Sequence, residues 1–215
     1  QMCIRDSICG GYSGRENMET GGIIIARIFW RLAAPSIKSA LLLCLLPLFG
    51  AHADITNTAS EVALPLLNRI EYSPSLTTSG QPTAQALGLA ARSGYSRVIF
   101  LAFTNHQNAL EHEDVIVKAL DMAFIHIPVQ WEAPTLADFD AFAAAMKVPT
   151  QQRTLLHCEV NFRASVFGFL YQVIYEAVPI DEAIAMMHAI WIPNEVWEDF
   201  IVQVLRVNGL DYQGM

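Results

Sequence analysis

The chain has 215 residues, of which 53% are hydrophobic and 16% are charged, and its formal net charge is −8. From residue 54 onward, eight Lys and Arg stand against eighteen Asp and Glu, and this excess of acid argues against nucleic acid or an acidic membrane surface as a partner. The length of that part predicts one domain with a proper core.

The first 53 residues carry no sign of the folded domain. Residues 1–17 lack periodicity and are interpreted as non-native sequence, and Met18 is a natural start. Residues 18–53 are typical of a signal peptide, because an apolar run at 40–49 is followed by the small-residue site Ala51-His52-Ala53. Three basic residues precede the run: Arg27, Arg31 and Lys38. We expect a periplasmic or secreted domain, 54–215, after cleavage.

A membrane anchor is the alternative for the same segment. Residues 23–49 are long enough to span a bilayer, although charged residues and a proline interrupt them.

Cleavage would leave Cys158 as the sole cysteine, so no internal disulfide could form in a compartment where disulfides persist. A single free thiol in that setting indicates a chemical task.

The predicted elements after residue 54 alternate between helix and strand. Helices are expected at 60–68, 83–93, 112–122, 135–146, 163–177, 181–190 and 194–207, and strands at 70–75, 76–79, 97–102, 124–128 and 154–158. This alternation predicts a single α/β domain in which helices flank a mostly parallel central sheet.

One stretch stands out chemically: a short apolar strand runs into Cys158, four residues follow, and Arg163 then opens a long helix. The amides of such a loop and of the first helical turn converge on one point, where the helix dipole also favours an anion. The same field favours the thiolate, which is the nucleophilic form of cysteine. The stretch therefore predicts a cysteine nucleophile with an oxyanion site.

This stretch resembles the signature loop of the cysteine-dependent tyrosine and dual-specificity phosphatases, His-Cys-x-x-Gly-x-x-Arg-Ser/Thr. His157 and Cys158 match it, Ser165 falls at the Ser/Thr position, and Asn161 replaces the glycine. Asn tolerates positive φ better than most residues, so we expect a left-handed backbone at Asn161.

The arginine departs from that pattern, because Arg163 comes one residue early and Ala164 occupies the family's arginine position. The resemblance implies that Cys158 attacks phosphorus while Arg163 and the loop bind the phosphoryl oxygens. The other substrate-binding residues that it implies are Glu159, Val160, Asn161, Phe162 and Ala164. We expect the guanidinium of Arg163 to point into the loop rather than to pair with Glu159 or Glu176.

Other segments support the same resemblance, which covers roughly residues 76–178. Ser79-Gly80-Gln81-Pro82 before a helix is similar to the start of a bacterial phosphatase-like group. Residues 125–129, leading into 133–135, are similar to its later strand and loop.

Two alternatives remain open. By the spacing of Cys158 and Arg163 alone, the loop looks like the shorter active-site ring of rhodanese-type sulfurtransferases, in which the cysteine carries a persulfide. The chain could also be an anion-binding domain without catalytic activity.

The resemblance further implies a general acid on the loop at 128–134, where Glu132 is the sole carboxylate. It implies that His157 holds the loop and that Ser165 assists release of the thiolate. No second ligand stands near His157 at a metal spacing, so we expect neither metal nor cofactor. The expected partner is a phosphorylated substrate or another oxyanion, with no membrane for the mature domain.

Overall fold

The computed structural model describes residues 63–149, 152–212 and 214, all within one compact unit, 57–215. The predictions made for 1–53, including the signal peptide and the apolar run, lie outside the described residues. Within the described part of the chain, no helix combines the length and the apolar character that crossing a bilayer requires.

The described residues form a five-stranded sheet and six α-helices. The strands are β1 (Ile70–Ser73), β2 (Leu76–Ser79), β3 (Tyr95–Phe100), β4 (Ala123–His126) and β5 (Arg153–His157). The helices are α1 (Ala84–Arg92), α2 (Glu113–Ala119), α3 (Leu136–Lys147), α4 (Phe162–Tyr175), α5 (Ile180–His188) and α6 (Glu195–Val207).

The sheet has the order β1-β2-β5-β3-β4. β5 pairs in parallel with β2 and β3, β4 pairs in parallel with β3, and β1 is the antiparallel edge strand. The predicted α/β domain with a mostly parallel sheet is therefore confirmed. The carboxyl end of a central parallel strand is where such sheets bind ligands, and here that strand is β5.

The apolar strand faces explain this arrangement. Both faces of β5 are buried, as are Val98, Ile99 and Phe100 of β3, which is typical of a parallel sheet covered by helices on both sides. One core cluster contains Phe167 and Phe169 of α4 with much of α6. A second cluster packs α1 and α2 against β3.

Helix caps follow from the sequence. Thr83 accepts from the amide of Ala86 at the start of α1, and Thr135 forms a capping box with Asp138 at the start of α3. Asn194 caps α6 in the same manner, by accepting from Trp197.

The helix predicted at 60–68 is wrong for its described part, since 63–68 contains no helix. Pro65 lacks the amide that a helix interior needs. Asn68 turns the chain with a φ of 51°, and its side chain bonds to the loop after β5 instead.

Candidate functional site

Cys158 lies directly after β5 and is fully buried. Its amide donates to the carbonyl of Ser79 at 3.2 Å, which continues the pairing of β5 with β2 by one residue. The nucleophile predicted from the sequence therefore stands at the carboxyl end of the central strand.

The chain then turns at Asn161, whose φ of 75° and ψ of 4° are left-handed. This confirms the expected backbone at that position. Asn161 is the N-cap of α4, but its side chain does not cap the helix. The first intrahelical bond runs from the amide of Ser165 to the carbonyl of Asn161 at 2.9 Å, so the amides of 162–164 have no acceptor within the helix.

The segment after β2 braces this turn. Gly80 forms an antiparallel bridge with Val160, and the amide of Gln81 donates to the carbonyl of Glu159 at 3.0 Å. A Cβ at position 80 would lie 2.9 Å from Cδ2 of Leu67 and 3.0 Å from the carbonyl oxygen of Glu159. The glycine in the Ser79-Gly80-Gln81-Pro82 segment is therefore required by close packing against the loop.

Asn68 braces the same turn from the other side, and sequence reasoning missed it. Its Nδ2 donates to the carbonyl of Val160 at 2.9 Å. In return, Nδ2 of Asn161 donates to the backbone carbonyl of Asn68. The asparagine that replaces the family's glycine thus supplies both a left-handed backbone and an anchoring side chain.

Arg163 extends from the first turn of α4 toward the segment after β4. Its Nε donates to the carbonyl of Val129 at 3.0 Å, and its Cζ lies 5.2 Å from the ring centroid of Trp131. Neither Nη1 nor Nη2 forms a hydrogen bond with any described residue. These two nitrogens are therefore available to an anion.

A pocket of about 400 Å³ lies beside that guanidinium. Its lining residues come from the segment after β4, the turn after β5 and the start of α4: Trp131, Glu159, Val160, Phe162 and Arg163. Phe162 stacks on Trp191 with ring centroids 4.6 Å apart. The pocket thus combines an aromatic wall with a cation.

The carboxylates named as alternative partners of Arg163 do not pair with it in the described structure. Glu176 accepts from the side chains of Gln172 and Ser73. Oε1 of Glu159 lies 3.9 Å from Nδ1 of His106. Desolvation by burial lowers the pKa of His106, Glu159 raises it in part, and Arg163 lowers it further.

His157 is fully buried, and its Nε2 lies 3.0 Å from Oε1 of Glu113. The other carboxylate oxygen of Glu113 accepts from Nε2 of Gln81 at 2.9 Å. The ring of Phe100 stacks on His157, with centroids 4.7 Å apart. Glu113 stands in the first turn of α2, where a carboxylate is normally solvated, yet it is 5% exposed.

Ser165 is hydrogen-bonded at the start of α4, and Glu132 lies outside the pocket beside Arg163. The hydroxyl of Ser165 donates to the carbonyl of Phe162 at 2.9 Å and accepts from Nε1 of Trp191 at 3.1 Å. Glu132 is exposed and is not among the residues that line the pocket beside Arg163.

Similarity to known proteins is found among solved structures. No protein-family model matches the sequence, and no curated protein matches it. A "Putative phosphatase (DUF442)" from Shewanella putrefaciens CN-32 is similar with a TM-score of 0.61 and 28% identity, over 67% of this chain and 95% of that one.

Two more distant structures share the fold. Tk-PTP in its active form has a TM-score of 0.53 and 15% identity, over 66% of this chain and 95% of its own. The core catalytic domain of the PP-IP phosphatase SIW14 from S. cerevisiae has a TM-score of 0.54 and 12% identity, over 67% and 93% respectively.

Proposed function

We propose that this chain, which has the fold of the cysteine-dependent tyrosine and dual-specificity phosphatases, hydrolyses a phosphate monoester by way of a phosphocysteine. The observation that carries the proposal is the position of Cys158 between β5 and α4. There, the first three amides of α4, which have no acceptor within the helix, lie beside Nη1 and Nη2 of Arg163, which bind no described residue.

Each step follows from groups at that loop. The thiolate of Cys158 attacks phosphorus, so an S–P bond forms as the P–O ester bond breaks. The loop amides and Arg163 bind the phosphoryl oxygens, whose charge they stabilise as the transition state develops. Water then attacks the phosphocysteine, which breaks the S–P bond and releases phosphate and the thiolate.

The leaving oxygen requires a proton, and we assign it to Glu132. It is the carboxylate of the 128–134 loop, and Val129 of that loop already accepts a bond from Arg163. Because Glu132 is exposed, its loop must close over the bound substrate before the carboxyl can donate.

The substrate is proposed to be a phosphorylated protein or small molecule, and nucleic acid is not expected as a partner given the acidic charge. We further propose that residues 18–53 export the domain to the periplasm or beyond the cell, because basic residues, an apolar run and Ala51-His52-Ala53 follow in order. The mass of the protein recovered from an exporting host tests this, and a chain that begins at Asp54 is expected.

An assay of the full chain with an aryl phosphate tests the activity, with Cys158→Ser as the matched variant. We expect the wild-type chain to release phosphate and the serine variant to release none while still binding vanadate. If Cys158→Ser is as active as the wild type, the proposal fails. Cyanide-dependent conversion of thiosulfate, without release of phosphate, would instead identify a sulfurtransferase, and binding without either reaction would identify an anion-binding domain.

A further inference from the structure

We propose that Glu113 and Gln81 are positioning residues that hold the loop on both sides of Cys158. This inference rests on the proposed function, because it explains how the nucleophile of that reaction is held in place. Neither side chain belongs to the loop, and neither lines the pocket beside Arg163.

The first contact is with the residue before the cysteine. Within the described residues, neither ring nitrogen of His157 forms a hydrogen bond. Its nearest polar contact is with Glu113, at 3.0 Å between Nε2 and Oε1. A buried polar ring without any partner would cost free energy, so this contact favours one orientation of His157.

The second contact is with the residue after the cysteine. Gln81 uses its backbone amide to bind the carbonyl of Glu159 at 3.0 Å and its side-chain Nε2 to bind Oε2 of Glu113 at 2.9 Å. One residue is thus bonded to the loop and to the partner of His157 at the same time. Cys158 thus lies between His157, which Glu113 contacts, and Glu159, which the backbone amide of Gln81 binds.

Further contacts connect His157 to the neighbouring strands. Phe100 lies between two imidazoles, with its ring centroid 4.7 Å from that of His157 and 5.0 Å from that of His126. Nε2 of His126 lies 2.8 Å from the carbonyl oxygen of Ala102. Through His157, the carboxylate of Glu113 thus contacts a stack of rings at the carboxyl ends of β3, β4 and β5.

A pocket of about 470 Å³ also includes Glu113, Phe100 and His126, but no residue of the 158–163 loop. It is consequently not the place where the phosphate binds. Glu111 lines this pocket together with Glu113. It is exposed and makes no ion pair with any described residue, so it provides a matched control.

The test compares Glu113→Gln with Glu111→Gln in the full chain. Both variants remove one carboxylate within three residues of sequence. We expect Glu113→Gln to lower kcat for an aryl phosphate about 10- to 100-fold with a KM within about threefold, because misplacement of a catalytic group affects the chemical step. Glu111→Gln should retain wild-type kcat. Equal kcat values in the two variants would overturn the proposal.

A double-mutant cycle separates positioning from a general loss of stability. The double variant Glu113→Gln, His157→Gln should have a kcat no lower than that of His157→Gln alone. Each substitution removes the same contact between these two side chains, so the second removal costs nothing more. Additive losses would show that Glu113 acts independently of His157, and the proposal would fail. Thermal unfolding of each variant ensures that rates are compared for folded protein.

A measurement without substrate distinguishes failure of this inference from failure of the proposed function. Modification by iodoacetamide is followed at the peptide that carries Cys158, and Glu113→Gln should slow it at least about fivefold. An unchanged or faster rate overturns the positioning role, even in a chain that hydrolyses no ester. If Glu113→Gln does not fold, Gln81→Met provides the same measurements, and a rate and kcat equal to the wild type count against the inference.

Discussion

Asn161 and Asn68 brace one another across the start of α4. Nδ2 of Asn161 donates to the carbonyl of Asn68, and both residues have positive φ, at 75° and 51°. Two left-handed turns from distant parts of the sequence are thereby joined at the loop that carries Cys158.

Substitution of Asn161 separates the two contributions of this residue. Asn161→Ala loses the side-chain bond and places an alanine in a left-handed conformation, which costs about 1–2 kcal/mol by itself. Asn161→Gly loses the bond but accepts the backbone conformation. Urea unfolding should therefore rank the wild type first, the glycine variant second and the alanine variant last. An alanine variant as stable as the glycine variant would contradict this explanation.

Gly80 and Gly88 form a matched pair. Gly80→Ala should lower the free energy of unfolding by about 1–3 kcal/mol, since its Cβ would lie 3.0 Å from the backbone oxygen of Glu159. Gly88→Ala, within α1 and 3.6 Å from the nearest side-chain atom, should raise it by about 0.5–1 kcal/mol because alanine favours the helix. Thermal or urea unfolding measures both free energies. Equal changes in the two variants would contradict the close packing at Gly80.

Replacement of Arg163 by lysine keeps the charge but removes the fork. Nε of Arg163 binds Val129 while Nη1 and Nη2 remain for an anion, and a lysine has one nitrogen for both tasks. We expect Arg163→Lys to weaken binding of phosphate or vanadate at least about tenfold, the effect of losing one charge-assisted bond. Calorimetric titration measures it, and Arg92→Lys at the exposed end of α1 should bind as the wild type does.

Ser165 and Trp191 allow the role of the serine hydroxyl to be tested. Trp191→Phe keeps an aromatic ring against Phe162 but removes the Nε1 donor that now binds Ser165. If Ser165 assists the thiolate, Trp191→Phe should leave kcat undiminished and Ser165→Ala should lower it without a matching change in KM. Steady-state rates of both variants provide the check. Loss of kcat in Trp191→Phe alone would assign the hydroxyl to packing.

Stability should fall as the pH is lowered through the titration of His106. Burial lowers the pKa of His106 in the folded protein below its ordinary value of 6.5, so the unfolded chain binds more protons in the interval between the two values. His106 therefore destabilises the fold below pH 6.5, and this loss increases until the pH passes the folded pKa. One group limits the slope to about 1.4 kcal/mol per pH unit.

The measurement is urea unfolding from pH 7.5 down to 5.0 for the wild type and for His106→Gln. The variant should lose less stability over this interval. A wild-type curve parallel to that of His106→Gln would show that the titration of His106 contributes nothing.

Local pattern was sufficient for most of the fold. The alternation of apolar strands with capped helices predicted all elements from β1 to α6 to within a few residues, and the position of Cys158 followed from the strand before it. The helix at 60–68 was wrong in its described part because the bond from Asn68 to Val160 outweighs local helix preference. That bond joins residues far apart in sequence, and one sequence does not reveal such a contact.

The same limit applies to the site. Asn161 could be predicted because its backbone requirement is local. The burial of Glu113 could not, since a carboxylate at a helix start is normally solvated, and its partner His157 becomes visible only when β3, β5 and α2 are assembled. The direction of Arg163 depends likewise on Val129, which the sheet brings near.

The strand order has a consequence for folding. β5 pairs with β2 and β3, which are synthesised long before it, and α4 follows it directly. Loop-closure entropy must be overcome before these distant pairings stabilise the sheet. The loop at 158–163 therefore forms only late in synthesis, and an anion bound there, as proposed above, would stabilise the finished fold without assisting the early stages of its formation.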